Sequence, residues 1–280
     1  MVLWLTRENA PFVVLTADLR WSIDLCYSPS HPLLAASKRA HARSSAPATK
    51  EELSMYKLLS FDVYGTLVNT PPINAKVFRL ILDAANAPHV DAQAFYQFWE
   101  QRNISHYWEP YVSYKDICRH SLREAFAHFA LPRGDGDLIG HYFSAFEDME
   151  LYKDVEPTLK ALKGRYCIAA VSNIDDDLFQ ATPLPIEFDL VCTAERARGY
   201  KPDGTLFRYL LVHAGVPTQE ILHSGQSQFT DLVGAKPLGL TVAWINRRQL
   251  SLDPDVPRPD HILSDVASLT RLVDQGVPRK

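Results

Sequence analysis

One acid, Asp62, stands in the segment YKLLSFDVYGTLVNT (residues 56–70) at the point where an apolar run gives way to a glycine-containing turn. A carboxylate in that position can attack an electrophile, ligate a metal or simply start a turn. Three further polar groups stand in the same relation to apolar runs. Ser172 and Asn173 close RYCIAAVSN, Lys201 follows FDLVCT, and Ser224, Gln226 and Asp231 fall at and after the end of EILHSG. A turn-starting aspartate would have no need of such company, whereas nucleophilic or metal chemistry would.

The elements that must position these groups can be read from the pattern. Short apolar runs at 57–63, 165–173, 188–193, 220–225 and 240–246 alternate with longer helical stretches. That alternation predicts an α/β fold, a Rossmann-like doubly wound parallel sheet covered by helices. Residues 73–150 have another texture, aromatic and helical in period, as in AFYQFWEQRNISHYW and YKDICRHSLREAFAHFAL. They read as a helical cap inserted into a core made of residues 55–72 and 151–280, entered at Pro71-Pro72 and left near Pro157. Ligands of open α/β sheets bind outside the carboxyl ends of the strands. Asp62, Ser172, Asn173, Lys201 and the 224–231 loop would therefore meet at one edge.

Composition narrows the functions. With 46% hydrophobic and 22% charged residues the chain reads as an ordinary soluble globular protein, and no apolar stretch is long enough for a membrane helix. A formal net charge of -4 argues against nucleic acid as a partner, because nucleic-acid binders carry a basic excess. Cys26, Cys118, Cys167 and Cys192 are far apart and form no CxxC, so they read as buried thiols in a reducing, cytoplasmic setting. The ten histidines show no HxH or HxxxH spacing and give no support to a zinc site. Residues 1–54, with the basic Ser/Ala-rich stretch 36–50, read as an N-terminal extension, a linker or an upstream appendage to a chain that enters its first strand just after Met55.

Four ordered segments carry a resemblance: DVYGTL (62–67), VSN (171–173), YKPDGTLF (200–207) and SGQSQFTDLVGA (224–235), followed by TVAWINR (241–247). In this order they resemble the haloacid dehalogenase superfamily of hydrolases, and within it the type II 2-haloacid dehalogenases. The resemblance implies that Asp62 is a nucleophile forming an aspartyl ester with a small-molecule substrate, a 2-haloalkanoic acid or related small acid. It implies that Lys201 holds Asp62 ionised, that Thr66 anchors the nucleophile loop, and that Ser172 and Asn173 contact substrate or nucleophile. Asp231 would orient the hydrolytic water or pair with Lys201, and Ser224, Gln226 and Phe207 would belong to the substrate pocket.

Arg102, in FWEQRNISHYW, would face the nucleophile from the cap and cradle halide or carboxylate, with Phe95, Phe98, Trp99 and Trp108 as apolar walls. Tyr64 selects the branch, since the superfamily's phosphatases resemble one another in carrying a second aspartate there as general acid. No metal and no cofactor are expected, because Asp62 and Asp231 alone make a thin magnesium site. Two positions depart from the dehalogenase pattern: Phe207 stands for a tyrosine, and Gln226 for an asparagine or acid. A magnesium-dependent phosphatase, a hydrolase of a larger metabolite, and a non-catalytic binding protein with a relic site are the alternatives. A homodimer would accord with the resemblance. The acid run Asp175-Asp176-Asp177 reads as the charged start of a helix.

Overall fold

The computed structural model describes residues 55–132 and 136–274, all within one compact unit, Pro47–Lys280. The reading of residues 1–54 as an extension lies outside the described residues. Six parallel strands make one sheet: β1 (Leu58–Phe61), β2 (Cys167–Ser172), β3 (Leu190–Thr193), β4 (Ile221–Gly225), β5 (Thr241–Ile245) and β6 (His261–Leu263). Their order, β3-β2-β1-β4-β5-β6, is that of a Rossmann-like doubly wound sheet, with β1 at the topological switch point. Strand residues alternate between two cores. Leu59, Phe61, Ile168 and Ala170 join one apolar cluster, while Leu58, Ala169 and Val171 join the other. Burial on both faces explains why these strands read as continuous apolar runs. The sequence reading missed β6, a partly exposed edge strand whose three residues are too few to stand out as an apolar run.

Between β1 and β2 the chain forms α1 (Thr70–Ala84), α2 (Ala92–His106), α3 (Tyr114–His128) and α4 (Gly140–Ser144). Pro71 and Pro72 occupy the first turn of α1, where backbone N–H groups have no intrahelical acceptor and proline costs nothing. Asp91 and Ser113 cap α2 and α3 by accepting from Ala94 N at 2.8 Å and Asp116 N at 3.1 Å. Phe78 binds the helices together through ring contacts with Phe95, Tyr96, Trp99 and Tyr142. The entry and exit chains of this cap lie side by side, with Asn69 N donating to Glu150 O and Tyr152 N to Leu67 O. The core helices are α5 (Val155–Leu162), α6 (Asp176–Ala181), α7 (Ala194–Ala197), α8 (Thr205–His213), α9 (Val233–Ala235) and α10 (Ser268–Asp274).

The acid run has a more specific task than opening a helix. Asp175, buried just after β2, accepts from Tyr114 N and Lys115 N, both at 2.9 Å, and so satisfies the start of α3 from the core side. Asp177 pairs with Lys115 at 2.6 Å, while Asp176 binds Arg196 and Thr193. Asp175→Ala leaves two N–H groups of α3 without acceptors and should lower stability by about 1–2 kcal/mol. The midpoint of urea unfolding, compared with wild type at unchanged slope, measures this.

Candidate active site

Asp62 follows β1 directly and its N–H donates to Ser224 O at 2.9 Å, which fixes it between β1 and β4. The chain then turns sharply, with Gly65 at φ +88° and with Leu67 and Val68 N–H groups both returning to Val63 O. That turn presents Thr66 to Asp62: the Thr66 hydroxyl donates to Asp62 Oδ2 at 2.6 Å and accepts from Gln226 N at 2.9 Å. One side chain thus locks the loop that carries Asp62 to the loop after β4.

Lys201 Nζ donates to Asp62 Oδ1 and, at 2.9 Å, to Asp231 Oδ1. It is almost fully buried, and its own N–H donates to Asn173 Oδ1 at 2.9 Å. The three charges share one enclosure with different outcomes. Burial raises Asp62 above the usual carboxylate range, and the nearby Asp231 charge adds to this against the pull of Lys201. Burial also opposes Asp231, but Lys201 and His223 outweigh it and hold that carboxyl well below its usual range. Burial works against the Lys201 ammonium, yet the two carboxylates keep its pKa raised.

Two close approaches make the geometry depend on glycine. A Cβ on Gly225 would fall 2.3 Å from the Asp231 carboxylate, and one on Gly234 would fall 2.0 Å from Lys201 O. Behind Asp231 stands His223, a buried residue that sequence reasoning missed. Its Nε2 lies 3.3 Å from Asp231 Oδ1 and its Nδ1 3.0 Å from the Ser60 hydroxyl. With Nε2–H donating to the carboxylate, Nδ1 is the acceptor for Ser60. A histidine directly after the apolar Ile221-Leu222 pair of β4 was the available signal.

Tyr64 lines the same cavity and meets the Thr182 hydroxyl at 2.8 Å. Thr182 donates its own proton to Leu178 O at 2.9 Å, so the Tyr64 hydroxyl is the donor in that pair. Burial holds the phenol well above its normal pKa, and it stays protonated at neutral pH.

The cavity over Asp62 measures about 580 Å³ and lies between the strand ends and the cap. Asp62, Tyr64, Ser172, Asn173, Lys201 and Gln226 line it, as the sequence reading anticipated for its edge. Thr66 and Asp231 stand behind this lining and act through Asp62 and Lys201. Asp231 is fully buried, does not border the cavity and pairs with Lys201.

Three positions need correction. Ser224 contributes its carbonyl to Asp62 N–H, but its side chain is buried in β4 and does not border the cavity. Phe207, on α8, is fully buried with its ring edge-on to His223 at 4.8 Å, because its face of α8 packs on the sheet. Arg102 does not face Asp62. Its guanidinium forms a two-pronged pair with Glu124 on α3, at 2.8 and 2.7 Å, where His106 also binds the same carboxylate. His120 completes that group, whose ligand-type atoms of His106, His120 and Glu124 lie within 4.8 Å of one another. Of the four aromatic candidates, Trp99 borders the cavity, Phe95 packs the cap core, Phe98 stacks on His128 and Trp108 is exposed.

Arg247 ties the site to its surroundings. Its guanidinium donates to both Asp154 oxygens at 2.9 and 3.0 Å and to Thr66 O at 3.0 Å, over the Tyr152 ring. Burial opposes Asp154 ionisation, but Arg247 and the Val266 N–H lower its pKa. A carboxylate lowered in the fold gives stability that is present above its unfolded pKa and is lost as pH falls through the folded value. Asp154→Asn should cost about 1–3 kcal/mol at neutral pH. It should also remove part of the acid-side loss, which denaturation at pH 7 and in the acid range would show.

Among the described residues no helix is long and apolar enough to cross a membrane. A family model described as haloacid dehalogenase-like hydrolase matches residues 56–239. The chain is 30% identical over 139 residues to the haloacid dehalogenase-like hydrolase domain-containing protein 3 of Danio rerio, covering 46% of this chain and 55% of that protein's length. It is 22% identical over 220 residues to an (S)-2-haloacid dehalogenase of Pseudomonas fluorescens, covering 75% of this chain and 93% of that one. The structure of L-2-haloacid dehalogenase from Xanthobacter autotrophicus superposes with a TM-score of 0.67 at 22% identity, over 78% of this chain and 98% of that one, which shows a common fold.

Proposed function

Given that the chain belongs to the haloacid dehalogenase-like hydrolases, we propose that it hydrolyses a carbon–halogen bond of a small carboxylic acid through a covalent ester of Asp62. An Asp62 oxygen attacks the halogen-bearing carbon, the carbon–halogen bond breaks and the halide leaves with its electron pair. Water then attacks the Asp62 carboxyl carbon, the ester C–O bond breaks, and an alcohol and one proton are released. Lys201 and Thr66 hold the two Asp62 oxygens in place, so the carboxylate is aimed before substrate arrives. Asn173 has spent its carbonyl on the Lys201 N–H, which leaves its NH₂, with Ser172, for the substrate carboxylate.

The observation that carries this reading is where the Tyr64 proton goes. A phosphate ester needs its leaving oxygen protonated, and the side chain two positions past Asp62 donates its single proton to Thr182. A halide is a stable anion and needs no such acid. The donor set also suits metal-free chemistry. Lys201 Nζ bridges Asp62 and Asp231 in the space a shared cation would use, and Gln226 brings no charge to the loop after β4. Magnesium favours several hard oxygen ligands in octahedral geometry, which these residues do not fit.

The test is halide release from both enantiomers of 2-chloropropionate and of longer 2-haloacids without added metal, beside phosphate release from an aryl phosphate with magnesium. Halide from one enantiomer supports the reading. Phosphate release alone, abolished by chelation, would replace it with a phosphatase, and two silent assays would favour a binding role.

A further inference from the structure

The cavity side contributed by the cap carries a carboxylate where an anion-binding cation was anticipated. Glu100, on α2, borders the cavity and remains accessible through it, whereas Arg102 two residues on is turned to Glu124. Among the described residues no basic side chain forms an ion pair with Glu100. Lys201 is committed to Asp62 and Asp231, and Arg247 to Asp154. Arg248, which also borders the cavity, donates to Gln226 Oε1 at 3.1 Å.

A short relay fixes the Glu100 carboxylate. Asn74 Nδ2 donates to the Tyr96 hydroxyl at 3.0 Å, and Tyr96 donates its proton to Glu100 Oε1 at 2.5 Å. Because the Tyr96 proton goes to Glu100, its lone pair takes an N–H from Asn74, and this orients the Asn74 amide. Asn74 Oδ1 is then left buried and without a partner, on a residue that is 5% exposed and borders the same cavity. Burial pushes the Glu100 carboxyl up, with Tyr96 and Arg248 pulling it back. The cap thus offers one buried amide oxygen without a partner and, beside the same relay, a solvent-accessible carboxylate oxygen that no group among the described residues takes.

Resting on the reaction proposed above, we propose that Glu100, Tyr96 and Asn74 form a second subsite that binds a protonated amine carried by the substrate. A small haloacid with only a carboxylate and a halogen leaves Asn74 Oδ1 unmet and puts its negative charge in the same cavity as Glu100. An ammonium group supplies several N–H donors, enough to reach a carboxylate oxygen and an amide oxygen together. The cavity, at about 580 Å³, has room for more than a three-carbon acid. The substrate class is therefore a halogenated acid with a basic nitrogen at the end away from Asp62.

The test uses the full chain and probes that cannot react: ω-aminoalkanoates of two to six carbons and the matched unsubstituted alkanoates, titrated by calorimetry. In wild type, at least one amine should bind roughly tenfold or more tightly than its match. Glu100→Gln should abolish that preference while the affinity for the plain alkanoate stays or improves. Equal affinities in wild type, no binding of any amine, or a preference that survives Glu100→Gln would overturn the proposal. Halide release is assayed separately with 2-chloro derivatives of both series. Release without an amine preference in binding or turnover leaves the reaction standing and sinks the subsite. Amine preference in binding without halide release does the reverse. A Glu100→Gln loss of turnover equal for both series would make Glu100 part of the water-activating step and also overturn the subsite.

Discussion

Asp62→Asn should lower turnover by at least about 10³-fold on any substrate the enzyme accepts, because the amide cannot form the ester. The fold should tolerate the change. Asparagine keeps the shape and can still accept from Thr66, and it removes a carboxylate that burial disfavours in its ionised form. Lys201 would retain Asp231 as its counter-ion. Loss of halide release with an unfolding midpoint near that of wild type is the expected pair of results. Comparable loss of both would mean that Asp62 is structural.

Lys201→Met should be the most destabilising single change at the site. It leaves two carboxylates in one enclosure without the ammonium that both contact, and removing one partner of a buried ion group typically costs about 3–5 kcal/mol. The Asp231 contribution to the pH dependence should change sign. In wild type, Asp231 has a lowered folded pKa, so its contribution is present above the unfolded value and is lost as pH falls through the folded one. In the variant both carboxylates titrate upward, and acidification through that raised pKa relieves the repulsion. Wild type should lose stability from this group on acidification, whereas the variant should regain part of its deficit. Adding Asp231→Asn should recover stability at neutral pH without recovering turnover, because Asp62 would still lack its cation. Unfolding curves at neutral pH and across the acid range to below the usual carboxylate pKa measure all three.

The sheet and the convergence of Asp62, Ser172, Asn173, Lys201 and Gln226 were legible because they depend on topology. Apolar runs buried on both faces announce parallel strands, and parallel strands bring their carboxyl ends to one edge. The errors came where side-chain direction decided the outcome. Arg102 and Glu100 are two residues apart on α2, and at about 100° per residue they project from nearly opposite sides of the helix. Nothing in the aromatic texture of that segment says which side meets the core. Phe207 and Ser224 were placed in the pocket through their motifs, while the register of α8 and β4 turns both side chains inward. His223 was overlooked because a strand histidine reads as a packing residue until Asp231 is seen behind it. β6 escaped because three residues are too short a run to separate from a loop.

The central claim, that Asp62 becomes an ester during turnover, is tested most directly by oxygen labelling. A single turnover with enzyme in excess is run in H₂¹⁸O on a substrate that releases halide, followed by peptide mass spectrometry. The account predicts ¹⁸O in the peptide containing Asp62 and an alcohol product whose new oxygen is unlabelled, since it comes from the Asp62 carboxylate. Label in the alcohol, with the Asp62 peptide unlabelled, would show that water attacks the substrate directly and would contradict the account.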